Sequence, residues 1–247
     1  MNEGTTLIDI ELLRGHLIVS CQAPEDSPLR DAGIIAAIAE AAVQAGAAAV
    51  RINSAEHVAA VRERVAVPII GLEKTLDQSG AQWITPTLDR ARRLVDAGAD
   101  IVALDATLRD RPWDERIDEL LPAVRELGVP VMADVDGFAA GSHAARLGAE
   151  LVGTTLSGYT TVPQNRSGAP DIELVGELAA ASIPVVAEGR IKTPAELTAA
   201  FEAGALAVVV GTSITEPMAL TRRFAAAIPT LTTLTTTTTL TKGASAS

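Results

Sequence analysis

The chain holds a single cysteine, 2% aromatic residues and no cluster of basic side chains. A lone Cys21 excludes an internal disulfide and a cysteine-rich zinc site. With aromatics scarce, the core has to be assembled from Ala, Val, Leu and Ile. Acidic residues outnumber basic ones 31 to 20, for a net charge of −11. That balance excludes a nucleic-acid binder that works by neutralising phosphates. Residues 1–11 offer no basic stretch ahead of an apolar run, so no signal peptide is expected. The best membrane candidate, residues 32–50, is mostly alanine and carries Glu40 and Gln44, which reads as a helix running into a strand. What remains is a 247-residue chain, 48% hydrophobic and 21% charged. Such a composition supports a large core, and the length matches the roughly 250 residues of a (β/α)8 barrel. The expectation is a cytoplasmic, metal-independent protein with one folded domain.

One phrase recurs along the chain: a small residue, glycine and alanine, then an apolar run. Its glycines are Gly46, Gly98, Gly148 and Gly204, at intervals of 52, 50 and 56 residues. These intervals suit two βα units each. Between them lie apolar runs opened by Val67-Pro68, Val129-Pro130 and Ile183-Pro184, and residues 17–20 precede them all. Eight buried strands result, continuous rather than alternating in hydrophobicity, as parallel strands are. The segments between have helical spacing. Ile34, Ile38, Ala41 and Ala45 form one stripe; Val58, Val61 and Val65 follow Ser54 as N-cap. Ile117, Leu120, Leu121 and Val124 form a third, with Pro122 expected to kink it. Thr193-Pro194-Ala195-Glu196 is a capping box with Pro at N1. Strands alternating with helices predict a parallel sheet closed into a single-domain TIM barrel over residues 1–228. Leu220, Phe224 and Ile228 are expected to bury the last helix against it. Residues 229–247 include nine threonines between 230 and 241, and read as an appendage without a barrel role.

In a barrel of this kind the chemistry lies where the strands end. The polar residues there are Gln22, Arg51, Lys74, Asp105, Asp134, Thr155 and Glu188, with Gly211-Thr212-Ser213 after the eighth strand. Any one of them alone is more often a hydrogen-bonded structural group. Together they supply acids and bases able to move protons on a small anionic substrate. Glu188-Gly189-Arg190 and Gly211-Thr212-Ser213 stand where barrels build phosphate sites, since glycines let the backbone approach phosphate oxygens. Ser157 and Tyr159, in the loop after the sixth strand, complete the expected wall. His16, His57 and His143 fall away from the strand ends, and Trp83, Trp113 and Tyr159 are too scattered in sequence for a stacking platform.

These phrases stand in a particular order: Ser20-Cys21-Gln22, Val50-Arg51-Ile52, Ile84-Thr85-Pro86-Thr87, Leu104-Asp105-Ala106-Thr107 and Ala133-Asp134. Leu156-Ser157-Gly158-Tyr159-Thr160 and Ala187-Glu188-Gly189-Arg190 follow. From about residue 7 to 228 the chain resembles the N-acetylmannosamine-6-phosphate 2-epimerase family. The resemblance implies a cytoplasmic enzyme of sialic acid and amino-sugar catabolism, acting on a sugar phosphate without nicotinamide or metal. It implies Lys74 as the catalytic lysine and Glu188 as its partner carboxylate, with Gln22, Arg51 and Asp134 around the sugar. A homodimer is expected, with neither nucleic acid nor membrane as partner. Three places depart from the family's pattern: Glu73-Lys74-Thr75, the turn Asp134-Val135-Asp136-Gly137, and Ile214-Thr215-Glu216-Pro217, where the family carries Arg in place of Glu216. Two other readings of the same residues are a lysine Schiff-base aldolase using Lys74 as nucleophile, and a non-catalytic sugar-phosphate sensor.

Overall fold

The computed structural model describes residues 8–160 and 168–229. Ten strands occur among them: β1 (His16–Cys21), β2 (Ala49–Asn53), β3 (Ile69–Leu72), β4 (Lys74–Leu76), β5 (Gln82–Ile84), β6 (Ile101–Asp105), β7 (Val131–Asp134), β8 (Leu151–Gly153), β9 (Val185–Glu188) and β10 (Ala207–Val210). All but β4 and β5 close into one parallel barrel in the order β1-β10-β9-β8-β7-β6-β3-β2. This is the expected TIM barrel. Residues β4 and β5 contribute were not foreseen: they form a separate antiparallel hairpin beyond the end of β3.

The helices are α1 (Ala32–Gln44), α2 (Ala55–Arg62), α3 (Leu88–Asp96), α4 (Ile117–Arg125), α5 (Phe138–Arg146), α6 (Ile172–Ala180), α7 (Pro194–Glu202), α8 (Thr212–Thr215) and α9 (Pro217–Ala225). Ser54 caps α2 by accepting from the His57 N–H, and Thr193 and Glu196 form the full capping box on α7. The four repeat glycines all take positive φ, 97° to 108°, the left-handed turn that returns a helix to the next strand. Helix α4 runs on through Pro122 to Arg125.

Two expected faces are corrected. In α1 the buried residues are Ile35, Ala36 and Ala39, whereas Ile34 is exposed. The sequence there is apolar nearly all round, so periodicity alone offers several stripes and packing selects one. In α9 nothing is buried: Phe224 is 71% exposed, and Ile228, just past the end of the helix, 72%. This helix packs chiefly against the short α8 and makes no comparable contact with the barrel wall. The Thr-rich stretch from residue 230 onward lies outside the described residues.

Side-chain alternation along each strand divides the core into two layers. One set, including Val19, Val50, Ile69, Val102, Val131 and Val208, faces the helices. The other, including Leu13, Ile18, Ala49, Ile70, Ile101, Met132, Leu151, Val186 and Val209, fills the barrel interior. Leu13, from a 3-10 turn at Ile10–Leu13, belongs to this inner layer and is 1% exposed. The same two-residue step carries the inward face upward. It leads from Ile18 to Ser20 and Gln22, from Ala49 to Arg51, and from Ile70 and Leu72 to Lys74. On the remaining strands it reaches Asp105, Asp134, Thr155, Glu188 and Gly211. The interior therefore changes from aliphatic to polar at the C-terminal ends of the strands.

Candidate active site

A cavity of about 780 Å3 opens at that polar end. Gln22, Arg51, Lys74, Thr155, Tyr159, Glu188, Gly189, Arg190, Gly211, Thr212 and Ser213 all line it, as expected. At its floor Arg51 is 1% exposed and forms ion pairs with two carboxylates, Nη2 to Asp134 and Nη1 to Glu188. Burial by itself would lower the Arg51 pKa, but the charges of Asp134 and Glu188 outweigh it and raise it. Thr155, in a 3-10 turn at Thr154–Leu156, donates to Asp134 at 2.5 Å and to Glu188 at 3.3 Å. The Glu188 main chain is fixed by Thr154, whose hydroxyl accepts from Glu188 N at 3.0 Å. Asp134 has no exposed surface, and its carboxyl is pushed up to about 7, chiefly by burial. Arg51 and the Thr155 hydroxyl pull against that shift, while Glu188 and Asp105 add to it.

Lys74 opens the hairpin, and its backbone N–H donates to Asn53 Oδ1 at 2.9 Å. The side chain is open to solvent within the pocket but enclosed by its walls. That enclosure, followed by the Arg51 charge, lowers its pKa; Glu188, Asp134 and Glu216 work in the opposite direction. The net direction favours a neutral amine, the form a base requires. Neighbouring Glu73 does not enter the pocket: Arg90 and Arg93 of α3 hold its carboxylate.

Three expected substrate contacts are corrected, because their polar atoms are already engaged beneath the surface. Asp134 does not line the cavity, its carboxylate being taken by Arg51 and Thr155, and Asp105 and Ser157 share its fate. Asp105 is fully buried; Oδ1 accepts from the Thr107 N–H and hydroxyl, and Oδ2 from Arg109 at 2.6 Å. Ser157 is 1% exposed and donates to Asp171. Arg190 does line the cavity, but its guanidinium also braces the loop, Nε on Ala169 O at 2.7 Å and Nη1 on Ser157 O at 2.6 Å. Sequence reasoning missed Asn53, Arg109, Lys192 and Arg223 on the pocket wall. The hairpin had a signal, since Thr75-Leu76 and Trp83-Ile84 flank a turn with Asp77, Ser79 and Gly80, but Arg109, beyond β6, had none of its own. Arg223 had none, because its place depends on the direction α9 takes.

The histidines lie outside this cavity. His57 is buried on the inner face of α2, and His143 pairs with Asp118 on the outer face. Among the described residues no three His, Cys, Asp or Glu side chains gather with metal-binding geometry. No helix among them is long and apolar enough to cross a membrane.

A family model described as "Putative N-acetylmannosamine-6-phosphate epimerase" matches residues 35–230. The chain belongs to this family. A relative from Caldanaerobacter subterraneus, named "Putative N-acetylmannosamine-6-phosphate 2-epimerase", is 45% identical over 218 residues, covering 87% of this chain and 92% of its own length. One of the same name from Synechococcus elongatus is 50% identical over 208 residues, covering 82% and 89%. Among solved structures, the N-acetylmannosamine-6-phosphate 2-epimerase from Clostridium perfringens superposes with a TM-score of 0.84 at 40% identity. That match covers 88% of this chain and 95% of that one. Thiamine phosphate pyrophosphorylase from Pyrococcus furiosus, at 17% identity and a TM-score of 0.57, shares the fold alone.

Proposed function

We propose that the protein is a carbohydrate 2-epimerase that converts N-acetylmannosamine 6-phosphate to N-acetylglucosamine 6-phosphate. The observation that carries this reading is a lysine with a lowered pKa facing Glu188 and an Arg51-bridged carboxylate pair, in a chain of this family. The hydrogen at C2 becomes acidic only once C1 is an aldehyde, so the sugar ring opens first. Glu188 assists by relaying the O1 hydroxyl proton to the ring oxygen as the C1–O5 bond breaks, and by the reverse relay when the product ring closes. Neutral Lys74 then takes the C2 proton, leaving an enediolate-like anion whose charge lies near Arg51. Return of a proton from the Lys74 ammonium, whose hydrogens exchange with water, to the opposite face after the intermediate turns completes the inversion. Gln22 Oε1 and Arg51 Nε are buried without a partner among the described residues, an acceptor and a donor suited to a sugar rich in hydroxyls. Gly189, Gly211, Thr212 and Ser213 supply the phosphate end, with Arg190 beside them.

The reaction needs no redox cofactor, because one proton is removed and one is added at C2 with no net change in oxidation state. The catalytic unit is the barrel over residues 1–228, with 229–247 as an appendage, working in the cytoplasm in the breakdown of sialic acid and amino sugars. The uncovered apolar face of α9, with Leu220, Phe224 and Ile228, supports a homodimer.

Proton NMR in heavy water tests the chemistry. Turnover is expected to place deuterium at C2, and Lys74→Ala is expected to abolish both epimerisation and exchange while circular dichroism stays unchanged. Near-normal turnover by a folded Lys74→Ala variant rules out Lys74 as the base. A covalent adduct on Lys74, trapped by borohydride, points instead to the aldolase reading.

A further inference from the structure

We propose that Arg109 is a positioning residue for the reaction, latching the β4–β5 hairpin to the end of β6 and so fixing the Lys74 amine in the pocket. The inference rests on Lys74 acting as the base.

The hairpin lies outside the barrel ladder, and a two-stranded sheet by itself is only marginally stable. Its base is tied down: Thr85 N donates to Glu73 O at 2.7 Å, and Glu73 N to Thr85 Oγ1 at 3.0 Å. Farther out, Arg109 makes the connection to the barrel. Its guanidinium carbon stands 4.0 Å from the centroid of the Trp83 ring, and Nη2 reaches the Gln82 carbonyl at 3.4 Å. On the other side Nη2 donates to Asp105 Oδ2 and Nε to Thr107 Oγ1 at 3.0 Å. Asp105 is itself immobilised at the end of β6 by Thr107, so the latch is anchored in the barrel. Trp83 is held in turn by Asp77 Oδ2, which accepts from its indole N–H at 2.9 Å, and by an edge-to-face contact with Trp113. Gln82 and Trp83 face Leu76 and Thr75 across the ladder, next to the Lys74–Ile84 pair. Displacement at Trp83 is therefore passed on to Lys74 through one residue of backbone.

The contact needs arginine. A flat guanidinium can stack on indole while directing donors sideways to a carboxylate and a carbonyl, whereas an ammonium is a point charge with no plane to stack. This also gives Asp105 a purpose that its burial denies it as a substrate ligand.

The test compares Arg109→Gln and Arg109→Lys with the wild type in the full chain, by hydrogen–deuterium exchange of residues 73–85 and by steady-state kinetics. Exchange in that segment is expected to quicken in both variants. kcat is expected to fall about tenfold or more with KM little changed, since misplacing a reacting group by an ångström costs up to about 10²-fold. Deuterium entry at C2 is expected to slow in step. Arg109→Lys guards against misfolding of the glutamine variant, and Trp83→Phe keeps a ring under the guanidinium as a second check. Unchanged segment exchange in folded variants overturns the latch. A raised KM with preserved kcat also overturns it, making Arg109 a substrate ligand. A wild type that neither epimerises N-acetylmannosamine 6-phosphate nor exchanges its C2 hydrogen refutes the epimerase reading instead, and the segment exchange still judges the latch.

Discussion

At the residue scale the site is a balance of buried charges. Arg51 sits between Asp134 and Glu188, and the cost of burying three ionisable groups is offset only while their hydrogen bonds remain complete. Asp134 has a folded-state pKa of about 7 against an ordinary 3.8. Between those values the folded state holds a proton that the unfolded state releases, so this group's contribution to stability is fully present below about 3.8 and is lost as the pH rises through 7. The difference in Tm between wild type and Asp134→Asn is therefore expected to move against the wild type from pH 4 to pH 7.5. A difference that stays flat across that range would show that Asp134 titrates normally. Gly153 is the second pressure point. A Cβ there would stand 2.5 Å from Met132 Cε, 2.9 Å from Asp134 Oδ1 and 3.0 Å from Thr155 Oγ1. Gly153→Ala is expected to displace the Thr155–Asp134 hydrogen bond and lower kcat by more than an outer-face change such as Ala145→Ser, as steady-state kinetics would report. Cys21, by contrast, is buried with its thiol pushed up to about 12, which leaves it inert at neutral pH.

At the element scale, three short devices hold the pocket's loops. The hairpin delivers Lys74, the 3-10 turn after β8 delivers Thr155, and the N-terminus of α7 secures the Glu188–Lys192 loop. In the last of these, Glu196 Oε2 accepts from Lys192 N at 2.6 Å and Thr193 N at 2.9 Å, while Thr193 Oγ1 accepts from Glu196 N at 3.2 Å. Its position ties a helix cap to the loop that bears Glu188 and Arg190. Thr193→Ala is expected to cost about 1 kcal/mol, the usual worth of an N-cap side chain. In a protein of this size that lowers Tm by about 2–4 °C. Thermal melts give the first figure, and an accompanying rise in KM would show the loop loosening with the cap.

At the scale of the whole molecule, the barrel is complete without α9. Its two core layers lie on either side of the strands, and the last helix leaves Phe224 and Ile228 in water. Exposed apolar faces of this kind mark association surfaces. If the proposed homodimer forms through α9, Phe224→Asp is expected to lower the sedimentation coefficient of the protein; an unchanged value would overturn that contact. A chain ending at Ile228 is expected to keep its activity and Tm, because the barrel core is closed before residue 230.

The amino-acid order by itself determined the barrel and most of its rim. Parallel strands buried on both faces are written as unbroken apolar runs, and most helix ends as glycines, which take positive φ at little cost, so both are local signals. The polar residue two steps beyond each inward aliphatic one was legible for the same reason: Arg51, Asp134 and Glu188 could be named from strand periodicity and a family likeness. Partnership was not legible. Asp105 and Ser157 stood at the right places in sequence, yet only packing decided that Thr107, Arg109 and Asp171 had already taken their polar atoms. The face α1 buries and the exposure of α9 were likewise settled by neighbours from distant parts of the chain. So was the direction of the Lys74 shift, because enclosure and the Arg51 charge act through space between residues that sequence spacing leaves unrelated.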